Sequence, residues 1–430
     1  MITLASEAEA ALSSFYEEMR DKGASRLRAA AWAAFSELGL PNRRVESWHY
    51  TDLKSAMSRP APLATASHGA LQLPRAHDSL RFVTLDGVFR PDLSDMARLP
   101  EGVAIQSLRD ALAQGAAHLM SALASADIGA QDPILALNAA LMQDGVVVQI
   151  APGVRIDRAI ELATLVSADA PQSTYTRALV VLGEGAHATL IETIGDLSGA
   201  AAQENGALVL RLAPHARVDL MTHLSGGVDQ SVRVASLLVH LDENSAVNSV
   251  ALVEGEGLNR RQIFARLDGE NARAVFNGAA LGRGRLHADT TLVVDHVKPF
   301  GQSRECFRNI LDDQSVGVFQ GKIVVRPDAQ KTDGVMQSKA VLLSEHATMN
   351  NKPELEIFAD DVQCAHGATC GRLDKDQLFY LCARGLPRRE AEALLIEGFA
   401  NEAMEALEDE QLKAFLCERV RAWLSRRISR

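Results

Sequence analysis

Aromatic side chains are scarce, 5% of the 430 residues, too few for a stacking surface that would hold nucleic-acid bases. Positive charge is also in deficit. Lys and Arg total 44 against 55 Asp and Glu, a formal net charge of −11, which opposes phosphate-backbone binding except where basic residues concentrate, here only in the last dozen positions. Cysteine is sparse and odd in number: Cys306, Cys364, Cys370, Cys382 and Cys417 are scattered through the second half. That pattern excludes a secreted disulfide framework and points to a reducing compartment, the cytoplasm. No window approaches the roughly 18 apolar residues that span a bilayer, and the N-terminus lacks the basic-then-apolar pattern of a signal peptide. Neither nucleic acid nor membrane is an expected partner.

The common catalytic signatures are missing as well. There is no G-x-G-x-x-G opening a helix, no H-E-x-x-H and no G-x-S-x-G. Gly317-Val318-Phe319-Gln320-Gly321-Lys322-Ile323 has its glycines one residue too close for a phosphate loop, and Ile323 stands where Ser or Thr would hold magnesium. A strand is expected there instead.

What is present is a chain of average apolar content, 47%, long enough for two or three structural units at roughly 150 residues each. Residues 1–78 read as an N-terminal helical domain and linker: helical spacing over 4–38 stops at Gly39 and Pro41, Thr51 is placed to cap a turn, and 58–77 has no periodicity. Residues 79–145 are a mixed segment, with a strand at Leu80–Leu85, a turn at Asp86-Gly87 and helical spacing over 105–143. From 146 to 371 short Val-, Ile-, Leu- and Thr-rich runs follow one another without crossover helices, which disfavours a doubly wound sheet. Residues 372–430 return to helical spacing, with Asp374 as a helix start and Gly385 and Pro387 between helices.

Within the β region a small residue followed by alternating side chains recurs at Ala186, Ala216, Ala246, Ala272, Ser315 and Ala347, in steps of 30, 30, 26, 43 and 32 residues. A period near thirty with one insertion implies a solenoid, in which each coil buries its inward residues only by stacking on the next. The expected fold is therefore mainly β: a right-handed parallel β-helix core flanked by N-terminal and C-terminal α-helical domains, the helices capping the end coils. A β-sandwich with evenly spaced hairpins is the alternative, and Asn277-Gly278 is the one hairpin-type pair in its favour.

The chemistry-bearing stretch is Asp360-Asp361-Val362-Gln363-Cys364-Ala365-His366-Gly367-Ala368-Thr369-Cys370-Gly371. On an extended strand Cys364 and His366 share one face, about 7 Å apart at the α-carbons, and thiolate with imidazole suits zinc, copper or iron. Two ligands on one strand do not enclose a metal, so any metal here needs ligands from elsewhere. The same pair also serves as a packed thiol and a hydrogen-bonded imidazole. Cys370 joins their face only where the strand continues through Gly367. The C-terminal Arg419, Arg421, Arg426, Arg427 and Arg430 form either a solvated helix end or a contact for an acidic partner.

The stretch from Lys352 to Gly385, with Glu46-Ser47-Trp48-His49-Tyr50-Thr51-Asp52-Leu53 near the start and Leu137-Asn138-Ala139-Ala140 before Asp144-Gly145, resembles the SufB/SufD family of iron-sulfur cluster assembly scaffold proteins. Within the family the form D-D-V-x-C-x-H-G, and the absence of a cysteine-rich N-terminal segment, are similar to the SufD branch. The resemblance implies a non-catalytic scaffold subunit that pairs with SufB through the β-helix and carries the ATPase SufC on its C-terminal helices. It implies a transient iron-sulfur cluster shared with SufB, none tightly bound to the isolated chain, with His366 and Cys364 as this chain's half of the site. Exposed β edges leave a homodimer open to the isolated chain. Cys370 departs from the family, which commonly has an apolar residue there. A zinc-binding protein using Cys364, His366 and Cys370, or a carbohydrate-active β-helix enzyme, stands as the alternative.

Overall fold

A computed structural model describes residues 7–65, 75, 77–115, 117–123, 129 and 131–428; much of the segment read as a linker lies outside them. Among the described residues eight two-stranded coils run from Val146–Ile150 to Gln363–Gly371. The first strands of all coils pair side by side in one sheet and the second strands in another. The register is parallel and regular: Gln203 pairs with Val232, Val232 with Leu258 and Val316 with Thr348, offsets of 29, 26 and 32 residues. The fold is thus a β-solenoid with helices at its flanks.

Stacking explains why these short runs hold as strands. Leu182, Leu212, Leu241 and Leu267 occupy one register column and are all buried between the sheets; each contributes roughly 2 kcal/mol of burial that no coil achieves alone. The corner joining first to second strand takes a left-handed residue in the six middle coils. Gly185, His215, Asn244, Asn271, Phe300 and Lys331 fill it, all with φ between 55° and 65°. Their N–H groups donate to the carbonyl at the same corner of the next coil, as from Asn244 to Glu270 (2.9 Å) and from Phe300 to Gln330 (2.9 Å).

This corner corrects the repeat reading. Ala186, Ala216, Ala246 and Ala272 lie at it, whereas Ser315 and Ala347 lie at the opposite corner, where second strands lead to first. The step of 43 is therefore a change of corner, with no insertion; the member that continues the series is Gly301, just before the strand Gln302–Leu311. Asn277-Gly278 is no hairpin either, since both lie inside the strand Arg273–Gly282.

The helices do not cap the ends. Leu12, Phe35, Trp48 and Leu53 pack with Leu137 and Leu141 on Tyr175, Val232 and Val234, outward residues of the first sheet. The C-terminal Ile396, Ala400, Leu416 and Val420 pack on Met221, Val250, Leu252 and Ile310, outward residues of the second. Both sheets are thereby buried on both faces over the middle coils, which is why Val232–Leu241 is buried at all ten positions. At the N-terminal end short antiparallel strands, Val88–Arg90 and Val103–Ser107, form the sheet edges. At the C-terminal end the strands Thr348–Ile357 and Gln363–Gly371 are the edges, with neither strand containing a fully buried residue.

The N-terminal motif acts as an anchor. Asp52, not Thr51, caps the helix Leu53–Ala56; Thr51 Oγ1 instead donates to Asp289 Oδ2 (2.5 Å) and lies 2.9 Å from His287 Nε2. Asp289 also accepts from Arg260 (2.5 Å), whose guanidinium stacks 3.7 Å from the Trp48 ring centroid. Lys352 pairs with Glu46, joining this motif to the C-terminal stretch.

Candidate functional site

The last strand, Gln363–Gly371, runs unbroken through Gly367 and pairs in parallel with Asp333–Leu342. Cys364, His366, Ala368 and Cys370 consequently share a face, with Gly334, Met336, Ser338 and Ala340 as their register partners. Met336, Ser338 and Ala340 are buried, so this is the inward face of the solenoid, laid open because no ninth coil covers it. Cys364 is half-buried against the apolar interior. Burial pushes its thiol up, against a hydrogen bond to the Gly334 backbone that lowers it. His366 is exposed.

Cys370 is on the same face but out of reach. It lies six steps along the strand from Cys364, about 20 Å, and four steps from His366, about 13 Å. No single ion spans these distances. Among the described residues no group of three or more His, Cys, Asp and Glu side chains is placed to hold a metal ion. Asp361 is committed to Lys331. The chain thus presents a thiol and an imidazole side by side, without a complete ligand set. Around them the open end exposes apolar residues that a free protein would ordinarily bury: Val335, Ile357 and Phe358, the last 59% accessible.

Two interior residues near this end carry no sequence signal. Glu305 precedes Met336 and His366 in one register column, as Ser303 precedes Gly334 and Cys364 in the next. The Glu305 carboxyl is buried with neither oxygen in a well-formed hydrogen bond, and burial pushes it up to about 8 against the lowering influence of the nearby Ser303 hydroxyl and Arg304. His296, buried and 3.1 Å from Ser303 Oγ through Nε2, is pushed down to about 4 by burial. Both are neutral at pH 7. A lone acid within a strand of mixed composition looks no different from a solvated one until its register column is known.

Of the C-terminal arginines, Arg430 lies outside the described residues, Arg421 pairs with Glu397 of the preceding helix, and the other three fasten the last helix to the solenoid. Arg419 and Arg426 pair with the buried Glu254, and Arg427 pairs with Asp312. Beyond them the helix Lys375–Ala383, capped by Asp374, exposes Phe379 at 75% and Tyr380 at 57%.

Residues 164–399 match the family described as SUF system FeS cluster assembly, SufBD core domain, and residues 70–162 match the SufBD protein N-terminal region. The chain belongs to the SufBD family. It is 31% identical over 89% of its length to the iron-sulfur cluster assembly protein SufD of Escherichia coli, covering 89% of that protein. An iron-sulfur cluster assembly SufBD family protein of Synechocystis is 30% identical, over 88% of this chain and 86% of its own. The chloroplastic protein ABCI7 of Arabidopsis thaliana is 24% identical over 92% and 84%. The chain is accordingly a SufD homologue and an iron-sulfur cluster assembly protein. No helix among the described residues is long and apolar enough to cross a membrane.

Proposed function

We propose that this SufBD-family chain is the non-catalytic SufD-type half of a cytoplasmic scaffold. Its open solenoid end docks against SufB, and a nascent iron-sulfur cluster is assembled as cargo between them. The carrying observation is that Cys364 and His366 lie side by side on an inward face left open at the last coil, with no third ligand in reach. An incomplete donor set beside unpaired strand edges and exposed Val335, Ile357 and Phe358 suits completion by a second chain, whose strands extend the sheets through backbone hydrogen bonds. His366, exposed, is the labile imidazole ligand. Cys364, half-buried, is the thiol beside it, passing sulfur or supporting the cluster from within.

The ATPase partner SufC is assigned to the C-terminal helices, where Phe379 and Tyr380 stand free. Those helices are fastened to the second sheet, so force applied to them reaches the coils that carry the half-site. In a complex reconstituted with SufB and SufC under anaerobic conditions, His366→Ala should abolish the build-up of iron and sulfide while leaving the complex intact by size-exclusion chromatography. Undiminished cluster yield would refute the assignment of His366. Iron and sulfide bound stoichiometrically to the isolated chain would refute the shared site.

A further inference from the structure

Among the described residues of the solenoid five large apolar side chains stand exposed: Leu197, Phe300, Val335, Ile357 and Phe358. Four of them adjoin one corner of the last three coils. Phe300 lies in the turn between the strands His287–His296 and Gln302–Leu311, and Val335 is the third residue of the strand Asp333–Leu342, which follows the next such turn. Ile357 ends the first strand of the last coil and Phe358 begins its turn. Leu197 alone lies at the opposite corner. Apolar residues scattered singly over a surface need no explanation, whereas a cluster at one place does.

Phe300 is the member that folding does not explain. Its backbone is left-handed, with φ 61°, a conformation that bulky side chains rarely adopt. The same position in the other middle coils holds Gly185, His215, Asn244, Asn271 and Lys331, none of them apolar. The ring is 49% exposed, joins none of the buried apolar clusters and stacks on no ring or cation among the described residues. Backbone strain and exposure thus coincide at one residue, without a core contact that offsets them.

We propose that Phe300 is a docking anchor for the chain that meets the open end: an overhanging segment of that partner reaches back along the corner and covers the ring with an apolar socket. This rests on the reading of the open end as a partner junction. Strands that merely continue the two sheets would cover Ile357 and the edges of the last coil. They do not reach Phe300, which lies at the corner two coils back, about 10 Å from the edge at the roughly 4.8 Å spacing of paired strands. Val335 and Phe358 occupy the coils between, so the exposed apolar residues lead from the edge to Phe300. A half-exposed ring that becomes fully buried is the kind of contact that dominates an interface.

The test uses the full chain and purified SufB, with association read by titration calorimetry and the corner read by hydroxyl-radical footprinting. Phe300 should be oxidised in the free chain and protected in the complex. Phe300→Asn places at the corner a residue that takes the left-handed backbone readily, so the thermal midpoint of the isolated chain should hold or rise, while the dissociation constant for SufB increases about tenfold. Equal binding by parent and variant, or a Phe300 as oxidisable in the complex as in the free chain, would refute the overhang and leave the junction at the open end standing. Failure of the parent chain to associate with SufB would refute both. A lower midpoint for the isolated variant would show that the ring is structural, and self-association that depends on Phe300 would assign the surface to a second copy; either result overturns the proposal.

Discussion

Replacing Glu305 by Gln should stabilise the protein by an amount that grows as pH rises above about 4.5. The carboxyl lies two coils inside the open end with neither oxygen in a well-formed hydrogen bond, and burial raises it from an ordinary 4.5 to about 8. Between those values the folded chain retains a proton that the unfolded chain has released, so stability falls as pH rises and levels off above about 8. At about 1.4 kcal/mol per pH unit the cost reaches roughly 3 kcal/mol at pH 7 and about 5 kcal/mol beyond pH 8. Gln keeps the shape of the protonated acid and cannot ionise. Urea unfolding of the two proteins, followed from pH 5 to pH 8.5, should give stabilities that differ by under about 1 kcal/mol at pH 5 and diverge steadily in favour of the variant. A constant difference across that range, or no difference, would show that Glu305 is hydrated or paired in solution and would refute the reasoning.

Two further outcomes follow from the anchoring contacts. Asp289→Ala strips the fully buried Arg260 of its carboxylate and Thr51 of its acceptor, which should cost about 3–5 kcal/mol in denaturant unfolding; a loss under 1 kcal/mol would contradict the buried pairing. Burial alone would raise Glu254, but hydrogen bonds from His223 and Arg419 prevail and hold it at about 2. Its contribution is therefore present above about 4.5 and lost as pH falls towards 2. Amide exchange in Glu410–Ile428 should accelerate over that fall, relative to the central strands. Glu254→Gln should show the same loosening at pH 7, and unchanged protection there would exclude Glu254 as the fastener.

The solenoid was legible because a coil must bring the chain back to one corner, and Ala186, Ala216 and Ala246 keep that interval. The jump to Ser315 misled because small residues serve both corners equally. Left-handed backbone does not separate the corners either, since Gly284 and Asp313 at the opposite corner have φ of 61° and 52°; what separates them is the sheet that the following strand joins. The placement of the helices was readable in principle. A strand such as Val232–Leu241, apolar at successive positions, implies cover on its outer face as well, whereas the notion of end caps came from solenoids in general. The pairing of Cys364 with His366 followed from strand parity, and distance along an unbroken strand then removes Cys370. Glu305, His296 and the partners of Arg419 and Arg427 escaped because each depends on contacts with residues distant in sequence, across register or across a helix crossing.

The difference between the two ends of the solenoid gives it a polarity with a consequence for assembly. A stack of coils bare at both ends would template further copies indefinitely and grow into a fibre. Here one terminus finishes in short strands of reversed direction, Val88–Arg90 and Val103–Ser107, and only the other offers long parallel edges. A junction formed at that terminus uses up the long parallel edges that the described residues of each chain present, so association through them stops after one event.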